Sequence, residues 1–160
     1  MQIVRVMRFV IAFSIIATIV GIAATKPAAA DNQTLTIYVF GGSEGIMGPD
    51  GKPHDTTVPS SFVVKAGVPV TVTAINYDES PHSITSTALG IDLQIKPGKE
   101  VGTKVEPVTT TFTFTAQKPG VYRWYCVVPC DKGHGMWAMG DGYGGPGKEG
   151  FMAGNIVVIQ

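Results

Sequence analysis

Period-two alternation of apolar and polar residues recurs along this chain, and it excludes most folds at once. Leu35, Ile37 and Val39 alternate with Thr34, Thr36 and Tyr38. Val70, Val72 and Ala74 repeat the pattern within residues 68–76, and Phe112 and Phe114 fall on one face of 109–115. Successive strand residues point to opposite faces, so this spacing builds one apolar and one polar face. Short β-branched runs at 61–65, 82–87, 91–95, 121–126 and 155–160 complete a set of about eight strands. Ala66-Gly67 and Lys118-Pro119-Gly120 are turn signals between them. No window after residue 30 carries a helical period. The pattern predicts an all-β sandwich or barrel. Two stretches rich in glycine, 41–59 and 133–150, are expected as long loops. Loops beyond about 12–15 residues are uncommon in compact domains and are often functional.

The first thirty residues stand apart. Arg5 and Arg8 precede an apolar run, Phe9 to Ala24, and Ala28-Ala29-Ala30 supplies small residues for cleavage. That is the layout of a secretory signal peptide, with an uncleaved anchor helix as the alternative. The run is short against the roughly 20 residues of a full span. The expectation is therefore residues 1–30 as signal and 31–160 as one domain, exported to a periplasmic or extracytoplasmic space. A membrane contact follows only if the N-terminal segment is retained. Losing Arg5, Arg8 and Lys26 takes the charge balance from 12 basic and 12 acidic residues to 9 against 12, a net −3. With one arginine left, Arg123, such a domain is no nucleic-acid binder.

Both cysteines lie in the expected domain. Two exported cysteines suggest a disulfide first. A bridge between Cys126 and Cys130 would close so short a loop that it would constrain the unfolded chain little. It would also give no reason for His134 to follow four residues after Cys130. Two thiolates and imidazoles instead suit copper or zinc. His82 follows a strand and the polar turn Asn76-Tyr77-Asp78-Glu79-Ser80-Pro81, and in a sandwich it can share a rim with the cysteine loop. Met136, Met139 and Met152 offer thioethers to the same loop, although methionine also serves as a flexible packing residue. His54, in Pro53-His54-Asp55, is expected as a solvated loop residue. Asp78 and Glu79 show no acid–base pattern, and no hydrolase motif, phosphate loop or nucleotide fingerprint is present.

The run Cys126-x3-Cys130-x3-His134, after Lys118-Pro119-Gly120-Val121-Tyr122, resembles the copper-A loop of the cupredoxin domain in cytochrome c oxidase subunit II and nitrous oxide reductase. Pro81-His82-Ser83, Leu89-Gly90-Ile91 and Lys96-Pro97-Gly98 are similar to the oxidase segment that carries the first histidine ligand. The resemblance spans about residues 60 to 160 and implies a cupredoxin-like Greek-key β-sandwich. It implies that Cys126 and Cys130 bridge two copper ions, that His82 and His134 each terminate one, and that the Val128 carbonyl is a weak axial ligand. The family's methionine falls three residues after the second histidine, where this chain has Trp137. An insertion at about 135–150 accounts for the departure. Met152-Ala153-Gly154-Asn155 then resembles the family's run into its last strand and makes Met152 the preferred axial ligand, with Met139 as the alternative. One type 1 copper on His82, Cys126, His134 and a methionine remains the alternative to a binuclear site. The expected function is electron transfer, not catalysis. Its partner would be a cytochrome, another cupredoxin or a terminal oxidase, in which the chain could itself be a subunit. Copper storage or delivery is the competing function.

Overall fold

The structure, a computed structural model, describes residues 32–131 and 151–160. The expected leader and the segment with His134, Met136, Trp137 and Met139 lie outside these residues. Among the described residues no helix is long and apolar enough to cross a membrane.

All eight expected strands are present. All eight contribute buried side chains to the core between two sheets, because alternation turns every second side chain inward. The first sheet joins β1 (Gln33–Phe40), β4 (Thr56–Val58), β6 (Val70–Asn76) and β11 (Val108–Phe114) in the order β11-β6-β1-β4. The second joins β5 (Phe62–Lys65), β7 (His82–Ser86), β8 (Ile91–Ile95), β12 (Gly120–Tyr125) and β13 (Ala153–Ile159) in the order β5-β13-β12-β7-β8. β1 runs parallel to β6, with Leu35 opposite Val72 and Ile37 opposite Ala74. β13 runs parallel to β5 and antiparallel to β12.

Ile37, Val39, Val70, Val72, Ala74 and Phe114 from the first sheet are buried, as are Val64, Ile84, Ile95, Trp124, Ile156 and Val158 from the second. Trp124 is fully buried, and its indole Nε1–H donates to the Ser60 carbonyl at 2.8 Å. A buried indole needs that acceptor, because an unpaired donor in the core costs about 1–3 kcal/mol. Opposite Trp124 in the register stands Gly154. A Cβ there would run into the Ser60 carbonyl and approach Trp124 Nε1, so glycine is required by the closeness of β13 to the 60–61 turn.

The segment 41–59, expected as a loop, is more ordered than its composition suggests. It holds a paired two-stranded ribbon, β2 (Ile46–Met47) with β3 (Pro53–His54), and β4 then pairs antiparallel with β1. A second small hairpin, β9 (Lys99–Val101) with β10 (Lys104–Glu106), turns at Gly102, whose φ of 63° favours glycine.

Candidate metal centre

Two neighbouring strands of the second sheet bring the candidate ligands together. β7 starts at His82 and β12 ends at Tyr125, just before Cys126. Their antiparallel pairing, Tyr125 opposite Thr85, puts the start of one beside the end of the other. His82 and Cys126 are both fully buried, and Cys130 is half-buried. Ligand atoms of His82, Cys126 and Cys130 all lie within 4.8 Å of one another. The two cysteines form no disulfide, and their sulfurs lie 3.9 Å apart.

Local hydrogen bonds fix this cluster. The Ser83 N–H donates to Cys126 Sγ at 3.2 Å, and the Val127 N–H donates to Ser83 Oγ at 2.9 Å. The Cys126 N–H donates to the Met152 carbonyl at 2.9 Å, which ties the cysteine loop to the chain entering β13. The Val128 carbonyl lies 3.4 Å from Cys126 Sγ, on the same small volume. Met152 is fully buried, and its sulfur accepts the Thr57 hydroxyl at 3.2 Å. It also has a φ of 54°, alone among the described non-glycine residues in that region. That conformation costs of order 1–3 kcal/mol and persists only where the surroundings impose it. Met152 is thus held in place beside the cysteine loop. The structure brings His82, Cys126, Val128 and Cys130 to one rim, with Met152 packed beside them. His134 and Met139 lie outside the described residues.

Two polar groups around the cluster differ from expectation. His54, expected in solvent, is 5% exposed. Its Nδ1 pairs with Asp131 Oδ2 at 2.9 Å and its Nε2 with Asp50 Oδ1 at 3.0 Å. Asp131 Oδ2 also accepts the Asp55 N–H at 2.9 Å, so the residue after Cys130 is clamped to β3. Asp78, which shows no partner in the sequence, pairs through Oδ2 with His82 Nε2 at 2.9 Å. An aspartate four residues before a histidine was the available signal, but outside a helix that spacing implies no contact.

Charge states follow from these contacts. Burial opposes a charged His82, but the Asp78 carboxylate and the Cys126 sulfur outweigh it and push the imidazole up to about 9. Burial likewise opposes the Asp78 charge, and the hydrogen bonds from His82 and Ser80 outweigh it, holding the carboxyl below its usual range. Burial, then the charges of Asp78 and Asp131, push Asp55 up to about 7. The contact with the Cys126 sulfur, then burial, drives the Cys130 thiol far above its ordinary range. Without a cation the sulfur pair therefore keeps a proton; a bound cation removes it, because a coordinating thiol ionises outright.

The donors fit a soft or borderline cation such as copper. Nδ1 of His82 is buried with no hydrogen-bond partner, while Nε2 is taken by Asp78. An unpaired buried imidazole nitrogen beside two unjoined thiols is costly to leave as it stands and is a ready ligand set.

The sequence matches the family model of the cupredoxin-like domain over residues 11–136. A search of curated proteins returns no match. Among solved structures, the periplasmic domain of subunit II of cytochrome oxidase from Bradyrhizobium japonicum is 19% identical, over 79% of this chain and 84% of that one, with a TM-score of 0.45. Copper nitrite reductase from Nitrosomonas europaea is 23% identical over 79% of this chain and 41% of its own, with a TM-score of 0.50. A purple cupredoxin from Nitrosopumilus maritimus is 19% identical over 78% of this chain and 99% of its own, at a TM-score of 0.36. At these identities the nitrite reductase likeness bears on the fold alone, and the other two carry no further weight.

Proposed function

Because this chain belongs to the cupredoxin-like family, we propose that it is a copper-binding electron carrier whose site is built on His82, Cys126 and Cys130. The observation that carries the reading is the buried Nδ1 of His82, clustered with the sulfurs of two cysteines that are not joined in a disulfide. Copper held there supplies a reversible one-electron change. The protein's part is to hold its own side chains still while that change happens. His82 stands at a strand start and Cys126 directly follows a strand, so neither relies on a mobile loop for its position. The Ser83 N–H stabilises negative charge on the Cys126 sulfur, and the closed apolar surroundings of Ile84, Trp124 and Ile156 keep water away.

The finer assignment is binuclear. Cys126 and Cys130 would hold two coppers between them, with His82 and His134 as one imidazole for each, the Val128 carbonyl as a weak donor and Met152 as the thioether. The 3.9 Å separation of the two sulfurs supports a shared site, since both then face one small volume. One type 1 copper on His82, Cys126, His134 and a methionine is the alternative. Fixed ligands favour a carrier over a storage or delivery protein, which must release its ion. The reading also takes the chain as exported, with a cytochrome, another cupredoxin or a terminal oxidase as its redox partner.

The test is to load the purified domain with copper and measure metal per chain together with its electron spin resonance. Two coppers sharing one unpaired electron give more hyperfine lines than one copper nucleus does. One copper per chain with the simpler pattern overturns the binuclear assignment. No copper uptake overturns the function.

A further inference from the structure

We propose that Asp78 is the positioning residue of the metal centre: it fixes which nitrogen of His82 faces the cysteine sulfurs. The inference deepens the copper reading and rests on it for the consequence at the metal, but the contact itself belongs to the chain alone.

The carboxylate is held before the imidazole meets it. The Asp78 N–H donates to Asn76 Oδ1 at 2.9 Å, and the Asp78 carbonyl accepts the Gly98 N–H at 2.7 Å. Asn76, fully buried, donates through Nδ2 to the carbonyls of Ser80 at 2.8 Å and Lys96 at 3.0 Å. Oδ2 of Asp78 accepts the Ser80 N–H at 3.1 Å as well as the imidazole. The turn 76–80 is thereby tied to itself and to the 96–98 segment, and Asp78 is 4% exposed. Gly41 packs so close to the carboxylate that a Cβ there would overlap Asp78 Oδ1, which blocks the acid from swinging toward β1.

A buried carboxylate accepts hydrogen bonds and cannot donate one when ionised. His82 must then carry a proton on Nε2. That leaves Nδ1 as the ring nitrogen that no carboxylate holds, in the cluster with the two cysteines. The opposite tautomer would set an imidazole lone pair against a carboxylate in a sealed site and bury an unpaired N–H, two penalties at once. The carboxylate also adds electron density to the ring, which makes Nδ1 a stronger donor to a cation. Asp55, which comes near the same pair, has no hydrogen bond to His82 and does not share this role.

The test begins without metal. Proton–nitrogen spectra of the metal-free domain are expected to show a downfield, slowly exchanging proton on His82 Nε2. Asp78→Ala removes its acceptor, and exchange should quicken at least tenfold. Asp78→Asn, nearly the same in volume, keeps the turn intact and loses only the charge, so the proton should move upfield with the amide spectrum otherwise preserved. With copper added, both variants should bind more weakly, by roughly 10- to 100-fold for Asp78→Ala, and their reduction potential should rise. Glu106→Gln, which removes an exposed acid, should leave exchange and affinity within twofold. An Nε2 proton equally protected in both Asp78 variants overturns the proposal. Failure of wild type to take copper sinks the copper reading while leaving the proton measurement decisive for Asp78.

Discussion

Met152→Leu separates the thioether of Met152 from its bulk. The side chain is fully buried, so the first cost is packing. A near-isosteric swap of Met for Leu costs less than about 1.5 kcal/mol. The second cost is the Thr57 hydroxyl, which loses its sulfur acceptor. A weak bond of that kind, lost in a buried place, is worth about 1 kcal/mol. The left-handed backbone at residue 152 strains Met and Leu alike, so it cancels from the difference. The sum is roughly 2 kcal/mol. For a domain of this size that lowers the thermal midpoint by roughly 6–10 °C. The fold survives, and the copper count per chain should stay that of wild type. The potential and the visible spectrum should shift, because the axial donor tunes both. Calorimetry on the metal-free protein and a redox titration on the loaded one measure the two effects separately. If Met152→Leu leaves spectrum and potential unchanged while Met139→Leu moves them, the axial assignment is wrong and Met152 is only packing.

Cys130→Ser should halve the copper per chain and simplify the spin-resonance pattern to that of one copper nucleus; unchanged stoichiometry would count against a bridging role. Gly154→Ala forces a methyl into the Ser60 carbonyl and disturbs the Trp124 hydrogen bond, so a loss of about 2–4 kcal/mol is expected in urea unfolding. A variant as stable as wild type would show that β13 yields there. The His54 clamp should make stability depend on pH. Burial disfavours the charged ring, but the bonds to Asp50 and Asp131 outweigh it and raise the folded value above the ordinary 6.5. Its contribution is therefore complete below about pH 6.5 and fades as pH climbs through the raised folded value. The difference in urea midpoint between wild type and His54→Gln should shrink over that rise; a difference that grows would contradict the clamp.

The strands were legible because burial leaves a period-two record. Val70, Val72 and Ala74 face the core while Thr71, Thr73 and Ile75 do not, and the sequence alternates accordingly. β2 to β4 left no such record. Strands of two or three residues are too short to alternate, and the glycines and prolines around them signal turns whether or not the turns pair. The β9–β10 hairpin was hidden for another reason: Lys99, Glu100, Lys104 and Glu106 are exposed, so no apolar face marks it. Within the candidate site, the approach of Cys126 and His82 was legible because both sit at strand ends. The partners of His54 could not, since Asp131 lies 77 residues away and only the folded chain brings it near. Asp78 was overlooked because its contact with His82 depends on the turn that Asn76 ties, not on spacing.

The burial of the candidate ligands is uneven, and this bears on how an electron would leave the proposed site. His82 is sealed on its outer side by Asp78 and neighboured by Asp55, and all three are buried. Electron transfer weakens steeply with path length, so that flank is a poor exit. In the cysteine segment, by contrast, Val127 is 41% exposed between fully buried Cys126 and half-buried Cys130. There, Val127 directly follows Cys126 in the chain. Both acids gather beside His82, and Asp78 bonds its imidazole. The cysteine segment offers an apolar residue, which a partner can cover without having to strip water from a charge. The same strand ends that position His82 and Cys126 thus pair a buried acidic neighbourhood with an exposed apolar residue that a partner can cover.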